Sequence, residues 1–307
     1  MERGILTRLL SGLPVVRRRD HEEFVRLYGT WVPVGHFYSP YADVEEVERR
    51  APAIFASPDT LPGIDLRVDE QLALLEQLAE LGADLQFPAE PGPQHRYHFD
   101  NPSYAWGDGT VMHTMLRHIG PSRIVEIGSG HSSAMILDTV DGWLDTPDRQ
   151  VDVCFVEPYP DLLHQLLRDG DRERVTIEPQ PVQDVDLAVF DRLQAGDVLV
   201  IDSTHVVKAG SDVNHLFFRV LPRLAPGVWV HVHDIFWPFE YPLDWVREGR
   251  AWHEIYLLRA FLMYNPTFEV RWFQDYLWKH HQPLLDERFP TMAKNPGGNI
   301  WLQRVGT

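Results

Sequence analysis

Two stretches of this 307-residue chain place carboxylates and imidazoles directly behind apolar, β-branched runs. One reads Val200-Ile201-Asp202-Ser203-Thr204-His205, the other Val230-His231-Val232-His233-Asp234. Ionisable groups at two strand ends support two chemistries. In the first, Asp202, His233 and Asp234 hold a divalent cation that takes up a substrate hydroxyl pair. Oxygen ligands suit Mg²⁺, whereas a histidine in the set favours a transition ion such as Mn²⁺ or Zn²⁺. Such an ion lowers a hydroxyl's pKa and orients its oxygen. In the second, no metal takes part and His205 or His233, with Asp202 nearby, is the general base near neutral pH. His231 reads as a hydrogen-bonded strand histidine.

A third stretch, Val125-Glu126-Ile127-Gly128-Ser129-Gly130-His131-Ser132-Ser133, joins a strand to a helix. Its glycines let the backbone turn sharply and approach a ligand, and the helix start offers free N–H groups. A dinucleotide fold wants Gly or Ala at the third place, where this chain has Ser133, and has no use for Glu126. An acid two residues before the first glycine suits a ligand with a cationic amino-acid end. Glu157 closes the next apolar run, Cys154-Phe155-Val156, at the strand edge where an acid can accept both ribose hydroxyls.

Glu126-x-Gly128-x-Gly130 resembles motif I of the class I S-adenosylmethionine-dependent methyltransferases. The run Ile201–Asn214, His233-Asp234-Ile235-Phe236-Trp237-Pro238 and Gly297-Gly298-Asn299-Ile300-Trp301 resemble a bacterial branch of that family, over about residues 95–305. The resemblance implies S-adenosylmethionine held by Glu126, Gly128, Ser129, Gly130, Ser132 and Glu157. It adds Asp202 and Ser203, and Gln183 or Asp184 near the adenine. Catechol-type and macrolide-sugar O-methyltransferases carry metal ligands at the two strand ends considered above. The catechol type places a lysine base three residues after the first ligand, where this chain has His205. Its acid–amide pair falls on His233 and Asp234. Methyl transfer to an oxygen, less readily a nitrogen, of a small metabolite follows. A non-catalytic cofactor-binding partner protein and an NAD-dependent oxidoreductase are the competing readings.

The elements that must position these groups follow from periodicity. Strands are expected at 123–127, 151–156, 174–177, 197–201 and 228–232, alternating with helices at 132–140, 161–168 and 213–224. A further helix, 253–263, precedes two last strands, 268–273 and 299–305. Alternation of this kind implies parallel pairing with right-handed crossovers. The expected fold is therefore an α/β, Rossmann-like seven-stranded sheet, six strands parallel and the last antiparallel. Residues 1–95 are read as a helical, loop-rich N-terminal cap, with helices at 44–55 and 66–81, and 96–307 as the catalytic domain. The excursion 274–298 reads as a substrate loop. Aromatic clusters around Trp237–Trp245 and Trp272–Trp278 read as pocket walls or as a homo-oligomer contact. Tyr97, Tyr104 and Asp108 lie on a loop able to close over the cofactor.

Composition narrows the partners. Forty-five acidic against 28 basic residues leave a net charge of −17, which repels nucleic acid and anionic lipid. The basic run Arg17–Arg19 reads as a solvated helix end. A lone Cys154 allows no internal disulfide and reads as a buried thiol. No apolar stretch approaches a membrane span, and the N-terminus has no signal-peptide pattern, so a cytoplasmic location is expected.

Overall fold

The computed structural model describes residues 31–306, so Arg17–Arg19 lie outside the described residues. These form two compact units. The first runs to Ala56 and includes Pro242–Ala251; the second holds Ser57–Tyr241 and Trp252 onward. In the first unit, helix α1 (Val44–Ile54) begins at Asp43, whose side chain accepts from the Glu46 amide at 3.2 Å. It packs on the short α7 (Leu243–Arg247), where Arg247 pairs with Glu48 at 2.8 Å.

In the second unit, α2 (Val68–Gly82) and α3 (Trp106–Ile119) lead to strand β1 (Arg123–Ile127) and helix α4 (His131–Thr139). Next come β2 (Asp152–Val156), α5 (Asp161–Leu166), β3 (Thr176–Glu178), β4 (Val198–Ile201), α6 (Asp212–His215) and β5 (Trp229–His233). Helix α8 (Glu254–Leu262), β6 (Phe268–Phe273), α9 (Gln274–Arg288) and β7 (Asn299–Arg304) close the chain. The seven strands lie in the order β3-β2-β1-β4-β5-β7-β6. Strands β1 to β5 pair parallel, and β7 pairs antiparallel with both β5 and β6. Six strands therefore share one direction and β7 alone opposes them, as expected from the sequence.

Register decides where the chemistry sits. Ile127 is level with Val156 on one side and Ile201 on the other, and Ile201 with Val232. The residues just beyond, Gly128, Glu157, Asp202 and His233, thus reach one carboxyl edge. The strand order also reverses between β1 and β4, the switch point where open α/β sheets bind ligands.

Three expectations need correction. The stretch 274–298 is not a loop: α9 fills its first half and buries Tyr276, Leu277 and Leu285. Pro283 has no amide to donate, and the helix kinks at His281. The helix expected at 213–224 is one turn of α6, a wide π turn over Leu216–Val220 and a 3₁₀ turn carrying Pro222. The two aromatic clusters also pack against each other. Trp237 lies 5.7 Å from Phe273 and 4.9 Å from Tyr276, all buried, so these rings form core.

Candidate active site

The turn after β1 is built around one close approach. Gly128 has φ +80°, and a Cβ there would stand 1.9 Å from the Asp202 carbonyl oxygen. Its amide donates to Val156 O at 3.0 Å, while the Asp202 amide donates to Ile127 O at 2.9 Å. Ser133 occupies the third place of the glycine motif and has work there. Its hydroxyl accepts from the Gly130 amide at 3.0 Å and donates to Glu126. Glu126 is fully buried, its Oε1 and the Ser129 hydroxyl lacking any protein partner. Burial pushes the Glu126 carboxyl up to about 8; hydrogen bonds from Ser133 and Ser132 offset this only in part, and the Asp202 and Glu157 charges add to it.

Both oxygens of Glu157 accept backbone amides, from Ser129 at 3.0 Å and Tyr159 at 2.7 Å. Two cavities open beside this turn. The larger, about 380 Å³, lies against Glu157, Tyr159, Gln183 and Lys208; the smaller, about 220 Å³, against Tyr104, Gly130 and Ser132. Gly128, Glu157 and Asp202 line both. Gln183, whose side chain donates to Gly210 O, faces the larger cavity, whereas Asp184 does not line it.

A buried acid–imidazole cluster adjoins Asp202. His205 Nε2 lies 3.4 Å from Asp202 Oδ1 and 3.6 Å from Asp234 Oδ2. Its Nδ1 meets Glu254 Oε2 at 2.7 Å, and Ser203 donates to Glu254 Oε1 at 3.1 Å. Burial opposes a charge on His205, but Asp202 and Glu254 outweigh it and hold the ring well above the ordinary imidazole value. Burial pushes Asp202 up, and His233 and His205 bring it below the usual carboxylate range. His233 Nε2 lies 3.5 Å from Asp234 Oδ1 and its Nδ1 3.9 Å from Asp108. Burial lowers His233, and the Asp234, Asp202 and Asp108 charges raise it above its ordinary value. Asp108, pushed up to about 6 mainly by burial, ties this cluster to β7 by accepting from the Gly298 amide and the Asn299 side chain. His231 bonds Tyr104 at 3.1 Å inside the core.

Among the described residues no three His, Cys, Asp or Glu side chains are grouped to hold a metal ion. The His205 ring faces both Asp202 and Asp234, and His233 faces Asp234. Sequence reasoning missed Glu254, Trp252 and Ser133. Glu254 lies 49 residues beyond its partner His205, on a helix start no motif marks.

Residues 125–235 match a family model described as a methyltransferase domain. An uncharacterized protein of Archaeoglobus fulgidus is 34% identical over 179 residues, covering 56% of this chain and 78% of that protein. Among solved structures, the O-methyltransferase TomG of Streptomyces achromogenes, involved in tomaymycin synthesis and bound to S-adenosylmethionine, is 15% identical. The match covers 85% of this chain and 96% of that one, with a TM-score of 0.40. A Podospora anserina methyltransferase bound to S-adenosylhomocysteine is also 15% identical, over 91% of this chain and 100% of that one, with a TM-score of 0.42. The chain belongs to the class I S-adenosylmethionine-dependent methyltransferases. No described helix is long and apolar enough to cross a membrane.

Glu126 gives a prediction that can be read without an acceptor. At neutral pH the buried carboxyl keeps its proton, and a cationic amino group beside it favours the ionised form. S-adenosylmethionine binding at pH 7 should therefore release a proton, seen as a heat that varies between phosphate and Tris buffers. Affinity should rise as pH climbs toward about 8. Glu126→Gln should erase the buffer dependence; its persistence would place the amino group elsewhere. The ligand-free fold carries the opposite sign. With the folded value above the ordinary 4.5, stability falls as pH rises from about 4.5 through about 8.

Proposed function

We propose that this chain methylates a hydroxyl oxygen of a small molecule, with a nitrogen acceptor as the second choice. One observation carries the reading: Asp202 lines both cavities beside the glycine turn and also pairs with the acid–imidazole cluster. The larger cavity, about 380 Å³, is on the scale of small-ligand sites, roughly 300–1,000 Å³. The unpartnered Glu126 oxygen and Ser129 hydroxyl, with the bare Gly128 backbone, fit the amino-acid end of S-adenosylmethionine. Glu157 retains lone pairs for the ribose hydroxyls, and Gln183 and Lys208 stand beside the larger cavity for the adenine. Bound there, S-adenosylmethionine supplies an electrophilic methyl on a sulfonium whose sulfur keeps the bonding pair.

The chain's own part is alignment and charge. Alignment of two reactants can supply several kcal/mol, roughly 7–11 in favourable cases. Asp202 and Asp234 face the cluster as acceptors, so an acceptor hydroxyl beside either can hydrogen-bond to it, and Asp234, whose side chain is 18% exposed, can take up its proton. His205 and His233 hold the compensating positive charge. The net charge of −17 supports a small-molecule acceptor over nucleic acid.

The test is transfer of tritium from methyl-labelled S-adenosylmethionine into a panel of phenolic, sugar and amine acceptors. Label should appear in hydroxyl acceptors, and Asp202→Ala should reduce it by about 10²–10³. Binding without transfer to any acceptor would favour a non-catalytic partner protein. Affinity for NAD but not for S-adenosylmethionine would favour an oxidoreductase.

A further inference from the structure

A further cavity, about 440 Å³, lies away from the glycine turn. Its walls come from residues 63–67, the end of α8 and the start of β6. Phe268 pairs with Arg304 at the far end of β7, and β6 runs parallel to β1–β5. The cavity therefore opens at the amino edge of the sheet, opposite the edge that Gly128 and Asp202 reach. Leu262, Phe268 and Val270 give it a buried apolar floor.

Two non-glycine residues of the wall are held in the left-handed region, Arg67 at φ +51° and Tyr264 at φ +57°. Bulky residues enter that region only where the surroundings impose it, and such strain gathers at ligand clamps. For Tyr264 the imposing contacts are plain. Its amide donates to Gly63 O at 2.7 Å, and its ring lies against the bare glycine. A Cβ on Gly63 would stand 3.0–3.2 Å from three atoms of that ring. One face of the phenol is thereby covered, yet the residue is 80% exposed, so aromatic surface is left open beside an apolar floor.

The charges of the wall do not cancel. Arg67 is answered by Glu269 at 2.8 Å and Glu70 at 3.0 Å, and the other oxygen of Glu269 by Arg271 at 3.3 Å. Asp65 is left over. Its Oδ1 accepts the Arg67 backbone amide at 3.0 Å, and among the described residues no basic side chain pairs with it. An anionic ligand would meet carboxylates whose neighbouring cations are already engaged. A cation would meet a free carboxylate, an open aromatic face and, at longer range, a chain of net charge −17.

We infer that this cavity is a second ligand site, taking an organic ammonium ion whose apolar flank rests on Leu262 and Phe268 and whose charge lies between the Tyr264 ring and Asp65. Its volume falls within the range of roughly 300–1,000 Å³ usual for small-ligand sites. Alkylated ammonium groups suit such a ring, because they bring charge and apolar surface together. The site depends on neither the cofactor nor the acceptor.

The experiment titrates choline into the full chain by calorimetry, with and without S-adenosylmethionine, beside dimethylbutanol, the uncharged carbon analogue of choline. One choline per chain should bind with a Kd of about 1 mM, alike in both conditions, and dimethylbutanol at least about tenfold more weakly. Tyr264→Gly, which suits the backbone at φ +57°, should weaken choline at least about tenfold and leave S-adenosylmethionine affinity unchanged. Tyr264→Asn, also tolerant of that backbone, should behave the same way if the glycine variant melts early. Asp65→Asn keeps the oxygen that meets the Arg67 amide and loses the charge, so choline affinity should fall about fivefold. Equal affinity for dimethylbutanol would show a cavity with no use for charge and would overturn the inference. So would displacement of choline by S-adenosylmethionine, undiminished binding in both Tyr264 variants, or no heat with choline up to about 10 mM.

Discussion

Gly128→Ala should cost this chain its cofactor while Gly130→Ala, two residues on, should be nearly silent. The two glycines look alike in the motif, and their surroundings differ. At Gly128 the backbone is at φ +80°, where an L side chain costs about 1–2 kcal/mol. The new methyl would also meet the Asp202 carbonyl oxygen at 1.9 Å and its carbon at 2.9 Å. Both are backbone atoms, so β4 and the turn must separate. That moves Asp202, which lines both cavities, and widens the amide array that Ser129 directs at Glu157. Gly130 is at φ −177°, which is ordinary extended backbone, and its nearest added contact is Leu162 Cδ2 at 3.5 Å. Calorimetric titration should show S-adenosylmethionine affinity reduced at least about 100-fold in Gly128→Ala, equivalent to roughly 2.7 kcal/mol, and less than about threefold in Gly130→Ala. A melting curve separates loss of site from loss of fold. Equal affinities in the two variants would show that the turn does not grip the ligand.

The strands that carry this site were readable because their signal is local. The run at 198–201 is apolar and buried throughout, as a strand flanked on both faces requires, and 229–233 is equally buried although His231 and His233 interrupt its apolar residues. The acids at their ends follow from chain direction alone. Where distant packing decides the structure, the sequence is quieter. Helix α3 begins at Trp106 and runs through two glycines that normally argue against helix. Those glycines answer contacts from elsewhere: a Cβ on Gly107 would strike Pro296 O at 2.2 Å, and one on Gly109 the Tyr97 hydroxyl at 2.1 Å. Likewise Glu254 has the look of any helix-start acid, and its place against His205 comes from the path between β5 and α8. The pairing of the two aromatic clusters is equally non-local, since either could have faced solvent or a ligand. Residue types at a strand end indicate what chemistry is available, while the partners that set protonation come from across the fold.

Arg96→Met should be the most destabilising single change in the second unit. The guanidinium is 4% exposed and makes a paired contact with Asp171, Nε at 2.8 Å and Nη2 at 2.6 Å. Its Nη1 reaches Asp138 at 2.7 Å and Asp141 at 2.8 Å. Asp138 also accepts the backbone amides of Arg96 and Tyr97, pinning the segment that carries Tyr97 and Tyr104 onto α4. Removing one partner of a buried charge set strands the others, at a cost of about 3–5 kcal/mol. Arg96→Lys keeps the charge and loses the fork, so its loss should be smaller, about half as large. Urea unfolding at constant slope measures both. The acid limb supplies a second signature: burial pushes Asp171 up, but the Arg96 hydrogen bond prevails and holds its carboxyl below the usual range. Its contribution is therefore present above about pH 4 and lost as pH falls through the folded value. Arg96→Met should flatten that acid loss, because without the cation Asp171 no longer prefers ionisation in the fold. Since the Tyr97 hydroxyl donates to the Tyr104 carbonyl at 2.8 Å and Tyr104 walls the smaller cavity, slackening this anchor should also weaken S-adenosylmethionine binding. A loss under about 1 kcal/mol with an unchanged acid limb would mean that water reaches the three acids once the arginine is gone.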